Sequence, residues 1–159
     1  MKDLYEILDK IGVKYTKHEH PPVYTCEEAD NLRIKLKGAS SKHLFLRNKK
    51  GNKHYLLIML SSKRADLKTL AKILNESKLS FASEERLQKH LGLTPGAVSP
   101  FGLINNESHD VVVVVDKEVW NHDTLNFHPN VNTATLEISR DDFEKFIKWC
   151  GNEMRIEEM

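Results

Sequence analysis

Residues 41–60, "SKHLFLRNKKGNKHYLLIML", contain two apolar runs on either side of a short basic segment with Gly51 at its end. The runs "HLFLRN" and "HYLLIML" have the length and composition of strands, and "KKG" supplies turn residues between them. This pattern predicts a β-hairpin. Lys42 and His43 stand at the start of its first strand, where the backbone is about to enter an apolar core. A charged ammonium group is unfavourable inside an apolar core, so its presence here is best explained if Lys42 lies at the rim of a pocket.

The segments around the hairpin alternate between helical and extended patterns. Apolar residues recur every three to four positions in four segments, at residues 2–12, 65–74, 83–92 and 140–150. A capping box formed by Thr25 and Glu28 predicts a further helix start. Shorter extended patterns occupy residues 13–20, 110–116, 125–129 and 133–139. The sequence therefore predicts an α+β fold, a single domain over residues 1–159 with a mixed, mostly antiparallel β-sheet flanked by helices.

Composition places the chain among cytoplasmic globular proteins. Of its 159 residues, 40% are hydrophobic, which suffices for a core without disulfides. The longest apolar run, residues 111–115, is too short to cross a bilayer, and the charged start does not have the form of a signal peptide. Cys26 and Cys150 form no disulfide framework.

Positive charge is concentrated in one part of the chain. Residues 33–72 contain twelve lysines and arginines and one acid, Asp66, whereas the remainder has an excess of ten acids. Such segregation is typical of a local face that binds a polyanion. A solvated hairpin that uses lysines for solubility explains the pattern equally well.

Common catalytic and metal-binding motifs are absent from the sequence. The eight histidines lack ligand spacing of a known kind, and Cys26 is more typical of a small buried thiol than of a nucleophile. Neither a P-loop nor G-x-G-x-x-G nor G-x-S-x-G occurs. We therefore expect no metal and no cofactor.

Three polar stretches at strand ends or loops are the remaining candidates for a site, since rigid scaffolds present functional groups there. They are "SSKHLFL" (40–46), "PGAVSPFGL" (95–103) and "NFHPNVNTAT" (126–135). With "EHPPVYTCEEA" (19–29), these stretches resemble, in the same order, the YbaK-like aminoacyl-tRNA deacylases, which also occur as the editing insertion of bacterial prolyl-tRNA synthetases. The chain is most similar to the free-standing branch that removes alanine from mischarged proline tRNA.

The resemblance implies catalytic roles for three residues. Lys42 matches the family's essential lysine, Gly96 begins its G-x-x-x-P loop, and His128 lies in its H-P motif. The chain departs from the branch at His43, where asparagine is common, and at Asn130, where leucine is usual. Both departures bear on substrate preference.

The resemblance also implies two sets of binding residues. Those expected to contact the aminoacyl end are His43, Ala97, Val98, Ser99, Pro100, Phe101, Asn132 and Thr133. Basic residues expected to bind RNA are Arg47, Lys49, Lys50, Lys53, Lys63 and Arg64.

The expected activity is hydrolysis of the ester at the 3′ end of mischarged proline tRNA, with alanine as the leading amino acid. A synthetase pocket that fits proline cannot strongly reject the smaller alanine, so a second pocket is needed to remove it. Short side chains and backbone around "GAVSP" would make that second pocket too small for the pyrrolidine ring of proline. Lys42 would be a fixed cation, while the terminal ribose hydroxyl could help to activate water. Prolyl-tRNA synthetase or an elongation factor are possible transient partners, and neither a membrane nor DNA is expected.

Three alternatives stay open at this level. The first is a deacylase for cysteine- or serine-charged tRNA, and the second is a binding module on the same fold that has lost its chemistry. The third is a small-molecule esterase that does not depend on tRNA.

Overall fold

Strands β2 (Ser41–Asn48) and β3 (His54–Leu60) form the antiparallel hairpin predicted from residues 41–60. The structure is a computed structural model, and it describes residues 3–20, 40–131 and 133–159. The predicted capping box of Thr25 and Glu28 lies outside the described residues. The apolar runs pair directly, with Phe45 opposite Leu56, so that the hairpin forms the middle of a larger sheet.

The elements follow one another in an α+β order, as predicted. The helices are α1 (Leu4–Ile11), α2 (Leu67–Ile73), α3 (Glu84–Leu91), α4 (Lys117–Trp120) and α5 (Arg140–Cys150). The other strands are β1 (Tyr15–Glu19), β4 (Leu79–Phe81), β5 (Val112–Asp116), β6 (Thr124–Phe127), β7 (Ala134–Ser139) and β8 (Met154–Glu157). Two short 3₁₀ helices, Pro95–Ala97 and Pro100–Asn105, lie between α3 and β5.

The strands form two sheets rather than the one that the sequence pattern predicts. A five-stranded sheet has the order β4-β2-β3-β5-β8, in which β3, β5 and β8 are parallel and the other neighbours antiparallel. A three-stranded antiparallel sheet has the order β1-β7-β6. Antiparallel pairs predominate overall, which agrees with the prediction. Strands β4 and β8 were not predicted, because each is three or four residues long and has little alternation of its own.

Two hydrophobic cores lie on opposite faces of the five-stranded sheet. The larger core includes side chains from α1, α3, α5 and both sheets, while the smaller one lies under α2. Strand β5 contributes to both, because Val113 and Val115 belong to the larger core and Val114 to the smaller. This confirms the prediction that the valine run is covered on both faces.

Side-chain caps fix the predicted helix starts. Ser83 accepts a hydrogen bond from the Arg86 backbone N–H (3.2 Å), and Ser139 does the same for Asp142 (3.1 Å). Both caps were predicted from the sequence, since serine favours this position. In the described part of the chain, no helix combines the length and the apolar character needed to span a bilayer.

Candidate active site

The His43 ring joins the start of β2 to the loop that follows α3. Its Nδ1 lies 3.1 Å from the Val98 carbonyl oxygen, and its Nε2 lies 3.1 Å from the Ser41 hydroxyl. A carbonyl can only accept, so Nδ1–H is the donor and Nε2 of the neutral ring accepts from Ser41. The ring also packs at 5.3 Å from Phe127 on β6. His43 therefore holds two chain segments together through one defined tautomer.

The charge state of His43 supports this arrangement. Burial is the main cause that lowers its pKa to about 3; the nearby His128 acts in the same direction, and the hydrogen bond to Val98 partly opposes both. The ring is therefore neutral near pH 7, as the acceptor role of Nε2 requires. A group with so low a pKa is a weak base, which favours positioning over proton abstraction.

The loop itself is tied to the turn that follows β6. Ser99 is fully buried, and its hydroxyl donates to the His128 carbonyl and accepts from the Phe101 backbone N–H (3.2 Å). Asn130 adds a third link, because its Nδ2 donates to the Phe101 carbonyl (3.3 Å). These bonds fix the loop against the turn without using any group of the loop's first 3₁₀ helix.

The second 3₁₀ helix of the loop rests closely on α3. A Cβ at Gly102 would lie 2.6 Å from Leu93 Cδ1 and 3.2 Å from the Leu91 backbone carbonyl oxygen. A Cβ atom essentially never lies below 3.0 Å from another heavy atom, so a side chain here would displace the Leu93 side chain and crowd the Leu91 carbonyl. The loop is therefore fixed from both sides, by α3 and by the turn after β6.

His128 has its own defined orientation. Its Nδ1–H donates to the Ala134 carbonyl (3.0 Å), which leaves Nε2 as the acceptor nitrogen of the neutral ring. Burial lowers its pKa, and the charge of His20, whose ring centroid is 6.2 Å away, acts in the same direction. Two neutral histidines, His43 and His128, therefore flank Val98 and Ser99 in this region.

The predicted residues of the G-x-x-x-P loop differ in exposure. Gly96 is partly exposed in the first 3₁₀ helix, while Ala97 and Pro100 are buried. The Phe101 ring packs in the larger core against Phe127 and Phe146, so its side chain anchors the loop to that core.

One further predicted contact residue, Thr133, directly precedes β7. Thr133 is exposed, and its carbonyl accepts from the His20 backbone N–H (2.9 Å). Asn132 lies outside the described residues.

Lys42 does not share the contacts that join His43 to the loop. Side chains alternate along a strand, so Lys42 projects to the face of Leu44 and the smaller core, and His43 to the larger core. Lys42 pairs with Met59 on β3. Among the described strands, β4 pairs only with Leu46–Asn48, so Lys42 lies in the half of β2 that β4 does not cover.

The predicted RNA-binding residues are found in two different settings. Lys49, Lys50 and Lys53 are exposed at the hairpin turn, whereas the Arg47 guanidinium donates to the carbonyls of Asn48 (3.2 Å) and Lys49 (3.0 Å). Arg47 therefore stabilises the turn that presents the lysines.

Lys63 and Arg64 follow β3 at the other end of the hairpin. The Lys63 ammonium lies 2.9 Å from Asp116 and 3.2 Å from Glu118, and it donates to the Met159 carbonyl. The hydrogen bond to Asp116, which is 1% exposed, is the main cause of its raised pKa. Lys63 is therefore engaged within the fold, whereas Arg64 is exposed.

Sequence reasoning assigned no role to Ser41, and it named Asn130 only as a departure from the family branch. Ser41 donates to His43 Nε2, and its hydroxyl also lies 3.4 Å from the Asn126 carbonyl oxygen. Asn130 has a left-handed backbone (φ 64°), a conformation that asparagine tolerates better than leucine does. The Pro-Asn dipeptide at 129–130 was the available signal for such a turn. Over the described ranges, no group of three histidine, cysteine or carboxylate side chains could hold a metal ion.

Comparisons with known proteins agree on one family. Residues 20–146 match the family model of the aminoacyl-tRNA editing domain. The chain is 46% identical over 152 residues to the prolyl-tRNA editing protein ProX of Acetoanaerobium sticklandii, an alignment that covers 96% of this chain and 93% of that protein. It is 33% identical over 155 residues to the mouse prolyl-tRNA synthetase associated domain-containing protein 1, covering 95% and 91% of the two chains.

Solved structures share the fold at lower identity. A crystal structure of a hypothetical protein superposes with a TM-score of 0.75 at 18% identity and covers 98% of both chains. A second, described as a candidate trans-editing enzyme for prolyl-tRNA synthetase, has a TM-score of 0.72 at 17% identity and covers 98% of this chain and 94% of that one.

Proposed function

Because the chain belongs to the aminoacyl-tRNA editing domain family, as its motifs predict, we propose that it is a trans-editing hydrolase for mischarged proline tRNA. Its reaction is hydrolysis of the ester between the wrong amino acid and the 3′-terminal ribose, with alanine as the leading amino acid. The whole chain acts as one editing domain in the cytoplasm, and the prolyl-tRNA synthetase is a candidate for transient association.

One observation carries the proposal: three segments far apart in the sequence converge around the loop at 95–100. The start of β2 reaches the loop through His43 and Val98, and the turn after β6 reaches it through Ser99 and the His128 carbonyl. A loop held from two sides can present its backbone N–H groups in a fixed direction. Fixed donors are what ester hydrolysis requires, because negative charge develops on the carbonyl oxygen in the transition state.

Within the first 3₁₀ helix, Pro95–Ala97, the Gly96 backbone N–H is the candidate donor, because Pro95 has no N–H and the Ala97 N–H donates to the Thr94 carbonyl (3.0 Å). Removing one oxyanion donor in other enzymes costs about 2.7–4 kcal/mol of transition-state stabilisation. Gly96 allows the backbone to approach the substrate closely, since it has no side chain. The neutral rings of His43 and His128 bound the same region without adding a competing positive charge.

Lys42 supplies a positive charge from the half of β2 that does not pair with β4. Its side chain begins on the other face of the sheet from His43, so it must reach around the edge to approach the ester or the terminal phosphate. Four methylene groups make this possible, and the ammonium group binds phosphate as a point charge.

Selection against proline depends on the size of the pocket beside Ala97 and Val98. Missing methylene groups change binding by only about 1–3 kcal/mol in a synthetase pocket, so a second pocket must admit the smaller amino acid. Short side chains and fixed backbone leave room for the methyl group of alanine and exclude a five-membered ring.

The deciding experiment is deacylation of a panel of aminoacyl-tRNAs at substoichiometric protein. The panel contains proline tRNA charged with alanine, cysteine, serine or proline, and alanine tRNA charged with alanine. We expect multiple turnovers on alanine-charged proline tRNA and little release of proline. Faster release of cysteine or serine would reassign the amino acid, and release of proline as fast as alanine would contradict the proposal.

The second candidate function is a binding module without catalysis. The observation that favours it is that Lys42 and His43 project to opposite faces of the five-stranded sheet. A catalyst releases amino acid in excess over protein, and Lys42→Ala abolishes release. A binding module instead protects the ester at stoichiometric protein, and Lys42→Ala changes only affinity. Lys148→Ala, on α5 and outside the expected RNA-binding surface, is the matched control. An esterase independent of tRNA would show no loss of activity with salt.

A further inference from the structure

A groove runs between α2 and β4 on the outer side of the smaller core. Its volume is about 610 Å³. Leu67, Ala71 and Leu79 form its apolar floor. Three exposed lysines, Lys68, Lys72 and Lys78, stand along its rim.

The charge of this groove is positive. Lys68 and Lys72 are four residues apart, so they project from the same side of α2 about 6 Å from each other. Glu76 also lines the groove, but its carboxylate accepts hydrogen bonds from the Tyr55 hydroxyl and, at 3.4 Å, from Asn48 Nδ2. Glu76 therefore forms hydrogen bonds to the hairpin, and the three lysines make the electrostatic potential at the rim positive.

The groove is continuous with the hairpin turn. Leu79 of β4 pairs with Asn48 at the end of β2, and Glu76 bonds to the same asparagine. Lys49, Lys50 and Lys53 follow directly in the turn. Strand alternation places Lys42 on this side of the sheet as well. Cations thus lie near both ends of β2, which are about 26 Å apart for an eight-residue strand, with Leu44, Leu46 and Asn48 on the same face between them.

We propose that this lysine-rimmed groove, together with the hairpin turn, binds the phosphate backbone of the tRNA stem next to the 3′ end. The proposal rests on the proposed function and extends it to a surface outside the candidate active site. A nucleic acid duplex carries a closely spaced, continuous series of negative charges, which matches an extended series of lysines better than an isolated acidic peptide does. The lysine heads contact phosphates, and the contact positions the substrate without reading its sequence.

The test compares two triple variants that remove the same charge from opposite sides of the five-stranded sheet. The first is K68Q/K72Q/K78Q in the groove. The control is K10Q/K145Q/K148Q on α1 and α5, where Lys145 and Lys148 are exposed and form ion pairs with Asp142 (3.7 Å) and Glu144 (3.3 Å). Thermal unfolding first establishes that both variants are folded.

The main measurement is the dissociation constant for uncharged proline tRNA as a function of salt. Three phosphate contacts contribute about 0.9 each to the slope of log affinity against log salt, so between 50 and 200 mM salt the wild type should lose about 40-fold more affinity than the groove variant. The control variant should keep the wild-type slope. A groove variant with the wild-type slope, or an equal loss in both variants, would overturn the proposal.

Deacylation separates this proposal from the proposed function. On alanine-charged proline tRNA the groove variant should show a raised KM and an unchanged kcat. On a short alanylated oligonucleotide that matches only the tRNA 3′ end, it should equal the wild type, and a matching loss on that oligonucleotide would contradict the proposal. A wild type that hydrolyses neither substrate, yet shows the groove-dependent slope, would reject the proposed function and keep the groove.

Discussion

The two ends of β2 differ in almost every physical property. At its start, His43 is neutral, partly buried and held by hydrogen bonds to Ser41 and Val98. At its end, the turn carries Lys49 and Lys50, which are exposed and charged. A fixed, desolvated region suits chemistry because its groups need no reorganisation, whereas mobile surface charges suit capture of a polyanion. Under the proposed function, the length of β2 therefore separates the expected site of chemistry from the expected site of tRNA capture.

The largest expected effect is that of Lys42→Ala. We expect kcat for alanine-charged proline tRNA to fall by about 100-fold or more, because loss of one fixed charge or donor at an oxyanion has that effect in other enzymes. The KM should change little. Steady-state deacylation over a range of tRNA concentrations measures both, and Lys50→Ala at the opposite end of the strand should leave kcat unchanged. Equal losses of kcat in the two variants would remove the distinction between the two ends.

Ser99→Ala should have the next largest effect. It leaves the buried His128 carbonyl and the Phe101 N–H without their partner, at about 1–3 kcal/mol for each unsatisfied group. We expect the free energy of unfolding to fall by about 2 kcal/mol and kcat to fall by about 10-fold as the loop loosens. Ser61→Ala is the control, since that hydroxyl donates to the Ser40 hydroxyl at the surface (3.0 Å). Denaturant unfolding and kcat are measured on the same variants. Wild-type values of both quantities for Ser99→Ala would show that the loop does not depend on the hydrogen bonds of the Ser99 hydroxyl.

Removal of charge at the hairpin turn should change binding alone. For K49Q/K50Q/K53Q we expect a KM several-fold higher at low salt, an unchanged kcat, and a salt slope reduced by about one for each lysine that contacts a phosphate. The measurement is KM at four or five salt concentrations. A fall in kcat at saturating tRNA would mean that the two ends of the strand are not independent.

The smallest expected effect concerns pH. The folded His43 has a pKa of about 3, while the unfolded chain binds a proton near pH 6.5. Stability should therefore fall as pH decreases from 6.5, by up to about 1.4 kcal/mol per pH unit for this histidine. His54, with a pKa lowered to about 4 mainly by burial, adds to the same trend.

His43→Asn isolates the contribution of the first ring. The free energy of unfolding of the variant should decline less steeply than that of the wild type between pH 6.5 and 4.5. In both proteins, His54 supplies the remaining dependence of stability on pH. Denaturant midpoints across this range give the comparison. Identical slopes would indicate that His43 is charged in the folded protein, which contradicts the hydrogen-bond pattern at Ser41.

Local patterns were sufficient for most of the fold. The hairpin at 41–60, the buried valine strand and the helices that begin after Ser83 and Ser139 follow from periodicity and capping within a short window. The division into two sheets could not be predicted this way, because it depends on which distant strands pair. Strand β8 pairs with β5 across the chain, and its four residues have no period that identifies it.

The candidate site was predictable only in part. The resemblance assigned His43, Val98, Ser99 and His128 to one site, and the structure joins these four through hydrogen bonds. Two of the acceptors, however, are the backbone carbonyls of Val98 and His128, which any residue could supply. The catalytic role of Lys42, the substrate contacts and the RNA-binding role of Lys63 stay predictions. The ion pair of Lys63 with Asp116 spans 53 residues and has no local signal.

The absence of a side chain at Gly102 has a practical consequence for living cells. A single methyl group there would lie 2.6 Å from Leu93 Cδ1 and 3.2 Å from the Leu91 carbonyl oxygen, so the Leu93 side chain would have to move and the contact between α3 and the loop at 95–105 would loosen. Heating weakens the bonds that resist such movement. A chromosomal copy carrying Gly102→Ala should therefore act as a heat-sensitive allele, with faithful protein synthesis in the cold and misincorporation of alanine at proline codons in the warm.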